Sequence, residues 1–197
     1  MKLLAFSDLH ASKPRADQIV AASAQADLVL GAGDFCNMRQ GLDAAMDLLA
    51  GLRAPMLAIP GNAESPDELS AALQDGTTML HATGCQIDGL TFFGLGCAVP
   101  PTPFGPWSVD LNEDEAETLL AACDHADVLL LHSPPKGVAD RTSSGHSVGS
   151  VAIRDAIERI QPRLAVCGHI HDCWGATGQI GTTRVVNLGP TPNWFDL

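Results

Sequence analysis

Five short, nearly continuous apolar segments punctuate the chain: KLLAF (residues 2–6), LVLGAG (28–33), PMLAI (55–59), VLLLH (128–132) and LAVCG (164–168). Each gives way at once to glycine or polar residues, which is how strands buried on both faces read. Between them Leu42, Ala45, Met46 and Leu49 recur at i, i+3, i+4 and i+7, and Val148, Val151, Ala152 and Ala156 do much the same, as an amphipathic helix requires. Strand alternating with helix predicts parallel pairing through right-handed crossovers. Ser65-Pro66 with Glu68, and Asn112 with Glu115, mark two helix starts. CQIDGLTFFGLG and GQIGTTRVVNLG read as antiparallel hairpins, so the sheet system is mixed.

A chain of 197 residues can bury a full core without disulfide or metal staples, and residues 1–197 are read as one domain. The formal charge of −12, from 23 acidic against 11 basic side chains, repels a polyphosphate backbone and argues against bulk nucleic-acid binding. The opening KLLAFSDLH is too short in apolar residues for a secretory segment, and no later stretch approaches the ~20 that span a bilayer. The expectation is a cytoplasmic protein without membrane contact, monomer or dimer. Six cysteines are scattered without a CxxC pair, which excludes a zinc ribbon and suits reduced thiols in a core.

The chemistry sits where the apolar runs stop. The first is followed by Asp8-Leu9-His10, whose side chains share one face if the chain stays extended. The second ends at Gly33-Asp34, the third leads to Gly61-Asn62, the fourth ends in His132 and the fifth in Gly168-His169-Ile170-His171. Taken singly these are weak: DxH is frequent by chance, and Asp34 and Asn62 are as well explained by capping and turns. A lone His132 reads as a satisfied core residue. The HxH pair is harder to dismiss, because buried imidazoles without partners are costly. Five consecutive strand candidates with a metal-capable side chain at the edge where open α/β sheets hold ligands make coincidence a poor explanation.

In this order and spacing, DxH, GD, GN, H and GHxH resemble the calcineurin-like metallophosphoesterase superfamily, and the resemblance runs from Asp8 to His171. SPPKG after His132, HSVGS, GHIHDCWG and NLGP are similar in particular to a small prokaryotic branch of Icc-like phosphoesterases. The resemblance implies an α/β fold, two mixed β-sheets packed as a sandwich flanked by helices. It implies that Asp8, His10 and His171 hold one divalent metal ion, that Asn62, His132 and His169 hold a second, and that Asp34 bridges them. Imidazole, amide and carboxylate donors without thiolate favour manganese, with iron, zinc or nickel as alternatives. Two such ions about 3.5–4 Å apart acidify a bridging water, whose hydroxide attacks phosphorus in line. The implied activity is a phosphodiesterase for a small organic phosphate diester. Phosphomonoesterase activity and a non-catalytic scaffold for protein contacts are the alternatives, and an acidic chain without room for a DNA-binding domain disfavours a nuclease.

One position departs from the family pattern. GNH followed by an acidic residue is common there, and its histidine is assigned to leaving-group protonation or charge stabilisation; here the chain reads Gly61-Asn62-Ala63-Glu64. General acid catalysis is worth ~10²- to 10⁴-fold, so Ala63 biases the chain toward good leaving groups unless another group substitutes. His146, in the long loop 133–147, is the candidate substitute, with an exposed loop histidine the equal alternative. Lys136 and Arg141 in the same loop are candidates for substrate oxygens, Asn62 for both metal and substrate. Ser147 is read as the cap of a helix from Val148, whose first N–H groups suit a phosphate. Phe104, Trp107, Trp194 and Phe195 read first as loop and tail packing, second as a wall for an aryl group.

Overall fold

A computed structural model describes all residues, 1–197. The chain runs β1 (Lys2–Phe6), α1 (Lys13–Ser23), β2 (Leu28–Gly31), α2 (Leu42–Asp47), β3 (Met56–Ala58), α3 (Pro66–Ala72), β4 (Thr77–Met79), β5 (Thr83–Ile87) and β6 (Leu90–Leu95). It continues with α4 (Glu113–Leu120), β7 (Val128–Leu131), α5 (Val151–Ile160), β8 (Leu164–Cys167), β9 (Thr177–Ile180), β10 (Thr183–Asn187) and β11 (Asn193–Asp196). One sheet has the order β11-β1-β2-β3-β4, the other β5-β6-β7-β8-β10-β9. Within the first, β1 to β4 are parallel and β11 is an antiparallel edge; within the second, β6, β7, β8 and β10 are parallel between antiparallel edges β5 and β9. The hairpins expected from the Asp88-Gly89 and Gly181 turns are β5–β6 and β9–β10.

Period-two alternation of the strands explains why their apolar runs are unbroken. Leu3, Ala5, Leu28, Leu30, Val128, Leu130, Leu164 and Val166 meet between the sheets. Their neighbours face outward: Leu4, Phe6 and Val29 pack on Ala16, Ile19, Met46 and Leu69 of α1 to α3. Leu129, Leu131 and Ala165 pack on Leu120, Ile153 and Ile157 of α4 and α5. The result is the expected sandwich of two mixed sheets between helical layers, and it gathers the ends of the parallel strands of both sheets along one edge. No helix is long and apolar enough to cross a membrane.

Four elements differ from expectation. The first crossover helix, α1, buries residues too small and mixed to stand out, and the short edge strands β4 and β11 have patterns too brief; Trp194, in β11, is exposed, with the Lys2 ammonium 4.5 Å from its ring centroid. The last helix begins at Val151 rather than Val148, and Ser150, not Ser147, is its cap, accepting the Ile153 N–H at 3.1 Å. Its first N–H groups are already taken, because the Glu113 carboxylate accepts from Val151 N–H (3.0 Å), Ala152 N–H (2.9 Å) and Ser150 Oγ (2.7 Å). That end of α5 is therefore no phosphate cradle. Removing such a cap typically costs ~1–2 kcal/mol. Glu113→Ala should lower the urea midpoint by about that free energy with an unchanged m-value.

Candidate metal centre

Asp8 and His10 reach the strand edge by a route other than the extended one expected. Their φ angles are 53° and 48°, in the left-handed region, and the turn is imposed by β2's continuation: Asp8 N–H donates to Gly33 O and His10 N–H to Asp34 O, both at 2.9 Å. Asp34 (φ 58°) and His169 (φ 66°) share this rare conformation. Such backbone states persist only where the surroundings over-determine them, and they cluster at functional sites.

Glu64 over-determines Asp34. Wholly buried, its Oε1 accepts the N–H groups of Asp34 and Gly61, each at 2.7 Å, which ties the loop after β2 to the loop after β3. Burial first, and the neighbouring Asp34 second, push its carboxyl up to about 7. The two loops touch so closely that a Cβ on Gly61 would collide with Asp34 N; the ends of β8 and β1 meet as closely, a Cβ on Gly168 lying 2.5 Å from Ser7 Cβ.

Asp34 then splits its two oxygens between two groups of side chains. Oδ2 lies 3.5 Å from His10 Nε2, which is 3.2 Å from His171 Nε2; that atom is 3.8 Å from Asp8 Oδ1. The ligand atoms of Asp8, His10, Asp34 and His171 all lie within 4.8 Å of one another. Oδ1 of Asp34 lies 3.5 Å from His132 Nε2, itself 3.1 Å from Asn62 Oδ1. His169 completes this side, its ring centroid 5.0 Å from that of His132.

Tautomers and amide orientation follow from the outer partners. His10 Nδ1 meets Cys36 O at 3.0 Å and His132 Nδ1 meets Ala32 O at 2.8 Å. A carbonyl only accepts, so each Nδ1 carries a proton and each ring turns its Nε2 edge inward. Ser108 Oγ donates to Asp110 Oδ1 at 2.6 Å, and so is free to accept from Asn62 Nδ2 at 3.0 Å, which turns Asn62 Oδ1 inward too. Asn62 Oδ1, His132 Nε2 and Asp34 Oδ1 thus converge, and cations would satisfy such a set. Burial lowers the pKa of His132, but the Asp34 and Asp8 carboxylates outweigh it and raise it above its ordinary value. Burial, then the neighbouring imidazoles of His132, His171 and His10, holds His169 well below its ordinary pKa. Burial likewise lowers His171. Both are neutral near pH 7, the form that ligates metal. The residues fit a pair of divalent ions.

His10, Asp34, Asn62, His169 and His171 border a cavity of about 380 Å³, with Thr142, Ile170, Asp172 and the stacked pair Phe104–Trp107 as further walls (centroids 5.6 Å, planes 2° apart). Ala63 is buried in the core of the first sheet, and its N–H donates to Asp34 Oδ1 at 2.8 Å. His146 does not border this cavity: it is exposed, with Nδ1 3.3 Å from Ser144 Oγ. Arg141 is turned to Gly145 O at 3.0 Å, and Lys136 donates to Ser147 O at 2.7 Å beside a neighbouring cavity. The sequence reading overlooked Trp174. Its Nε1–H donates to Asp8 Oδ2 at 3.0 Å and its ring lies on His171 at 4.4 Å, so one side chain orients two candidate ligands. Its position three residues past an HxH was the one available signal.

A family model described as the calcineurin-like phosphoesterase superfamily domain matches residues 1–196. The UPF0046 protein K07C11.7 of Caenorhabditis elegans is 32% identical over 108 residues, 55% of this chain and 36% of that protein. The human metallophosphoesterase domain-containing protein 1 is 33% identical over 100 residues, 47% of this chain and 30% of that protein. The match thus spans about a third of the length of these curated relatives. Among solved structures, TT1561 of Thermus thermophilus superposes with a TM-score of 0.76 at 16% identity, over 99% of this chain and 98% of that one. At that identity the likeness speaks for the fold. Outer-shell partners of metal ligands are typically worth 10- to 100-fold in affinity. Trp174→Phe, which keeps the ring but deletes the N–H, should weaken manganese binding by roughly that factor in calorimetry while leaving the unfolding midpoint nearly unchanged.

Proposed function

The chain belongs to the calcineurin-like phosphoesterase superfamily, and we propose that it is a metal-dependent phosphoesterase whose substrate is a small organic phosphate diester. The observation that carries this reading is the division of Asp34, with Oδ2 toward His10 and Oδ1 toward His132, at the floor of an open cavity. In the proposed site Asp8, His10, Asp34 and His171 hold one ion, and Asp34, Asn62, His132 and His169 the other. A bound metal pair supplies an acidified water and positive charge for phosphoryl oxygens. The protein's own groups keep this ligand set in register: Ala32 O and Cys36 O retain the Nδ1 protons of His132 and His10, and Ser108 fixes the Asn62 amide.

Two features favour a diester over a monoester. No lysine or arginine borders the cavity, whereas Asp34 and Asp172 do, so a ligand with one negative charge is accommodated more cheaply than one with two. At Ala63 there is no side chain to protonate a departing alkoxide, which restricts turnover to substrates whose leaving group departs readily. The Phe104–Trp107 stack presents an aromatic face to an apolar substituent.

The test is to strip the protein of metal, reload it with manganese, and compare bis(p-nitrophenyl) phosphate with p-nitrophenyl phosphate. The diester should have at least a tenfold higher kcat/KM, and Asp34→Asn should lose on the order of 10³-fold of the activity. A higher kcat/KM for the monoester would make the protein a phosphatase. Silence with two ions bound per chain would exclude both aryl esters as substrates, and silence without bound metal would favour a scaffold.

A further inference from the structure

A second cavity, of about 500 Å³, opens beside the first and shares four wall residues with it: Phe104, Thr142, His169 and Ile170. His169, a candidate ligand, therefore faces both. The remaining walls differ in character from those of the first cavity. Pro100, Pro101 and Pro103 form one side and Val148 the other; Thr102 and Ser147 also line it but give their hydroxyls to Asp110 and Asp140, Lys136 is the single charged residue and no carboxylate is among them. Prolines offer no N–H, so this wall gives a polar group little to bind.

Both walls are held in place from behind. The proline-rich side is anchored where Asp110 Oδ2 accepts Thr102 N–H at 2.8 Å, and the same carboxylate takes the Ser108 hydroxyl that orients Asn62. The opposite side is organised by the buried Asp140, which accepts Gly137 N–H and Gly149 N–H at 2.9 Å each and the Ser147 hydroxyl. Burial opposes ionisation of Asp140, but those hydrogen bonds outweigh it and hold the carboxyl below its usual value. Lys136 reinforces the same loop through Ser147 O. The cavity is thus preformed, apolar, and continuous with the candidate metal centre across His169, which are the attributes of a ligand pocket.

We propose that this second cavity is the subsite for one substituent of the phosphorus ligand, and that it takes an uncharged apolar group, aryl or alkyl. This rests on the phosphoesterase reading above. Phosphorus bound at the ligand cluster directs one substituent past His169 and Ile170 to lie between the prolines and Val148. The first cavity, with Asp172 and the Phe104–Trp107 stack, receives the other.

The test uses the manganese-loaded protein with dimethylphosphinate and benzyl(methyl)phosphinate as probes, monoanions with two substituents that bind through phosphorus without reacting. Calorimetry should give at least tenfold tighter binding for benzyl(methyl)phosphinate. Val148→Trp and Pro101→Trp, which fill the cavity from opposite walls, should each abolish that preference and leave dimethylphosphinate affinity within twofold, which also reports that the variant is folded. In the wild type loaded with diamagnetic zinc, the benzyl protons should show nuclear Overhauser contacts to the Val148 methyl groups. Equal affinities for the two probes, or benzyl contacts confined to Trp107, would overturn the subsite while leaving the phosphoesterase reading intact. Failure of dimethylphosphinate to bind a protein carrying two metal ions would overturn both.

Discussion

The buried Glu64 carboxylate is the contact on which the rest of the site depends. Two loops from adjacent strands approach closely enough to hand their backbone N–H groups to one oxygen, which accepts from Asp34 and Gly61 together. A buried carboxylate is costly unless it is fully engaged. Here the engagement fixes the left-handed turn at Asp34, which sets the directions of its two oxygens, one toward His10 and the other toward His132. Asp8 and His10 inherit their positions from the same loop through the bonds to Gly33 O and Asp34 O. The ligand cluster is a consequence of backbone placement; the side chains only finish it.

Much of this was legible in the sequence, and the division between what was and was not has a physical basis. The parallel strands were visible because burial on both faces leaves no polar gap in KLLAF or VLLL. The β5–β6 hairpin was visible because Asp88-Gly89 encodes a turn with positive φ at both residues. The seven candidate ligands were visible only jointly. Missing were features decided by tertiary contact. No local pattern states that Asp8-Leu9-His10 leaves the extended form, since the bonds that bend it come from residues 33 and 34. Nor does any local pattern reveal that Glu113, from α4, caps α5 and displaces its start by three positions. In α1 the buried positions are Ala16, Ile19 and Ser23, too small and too mixed to stand out as an apolar stripe.

The expectation for His146 and Arg141 shows the limit of reading function from loop position. Both belong to a loop that does approach the cavity, yet the loop's own turn uses their polar atoms: Thr142 and Ser144 engage His146, and Gly145 O takes Arg141. Thr142 borders the cavity in their place. An acidic chain with no lysine or arginine at its candidate site would need bound ions to reverse the local field there.

The candidate ligands are drawn from both layers of the sandwich. Asp8, His10, Asp34 and Asn62 follow strands of the first sheet, whereas His132, His169 and His171 follow strands of the second. A pair of metal ions lodged among them would act as a rivet through the open edge of the two sheets. Its binding free energy would then enter the cohesion of the whole fold, since whatever binds the native state alone stabilises it by mass action. Loading would stiffen the seam, and metal scarcity would loosen it at the edge where a ligand must enter. The lifetime of the protein in a cell would track the supply of the ion it uses.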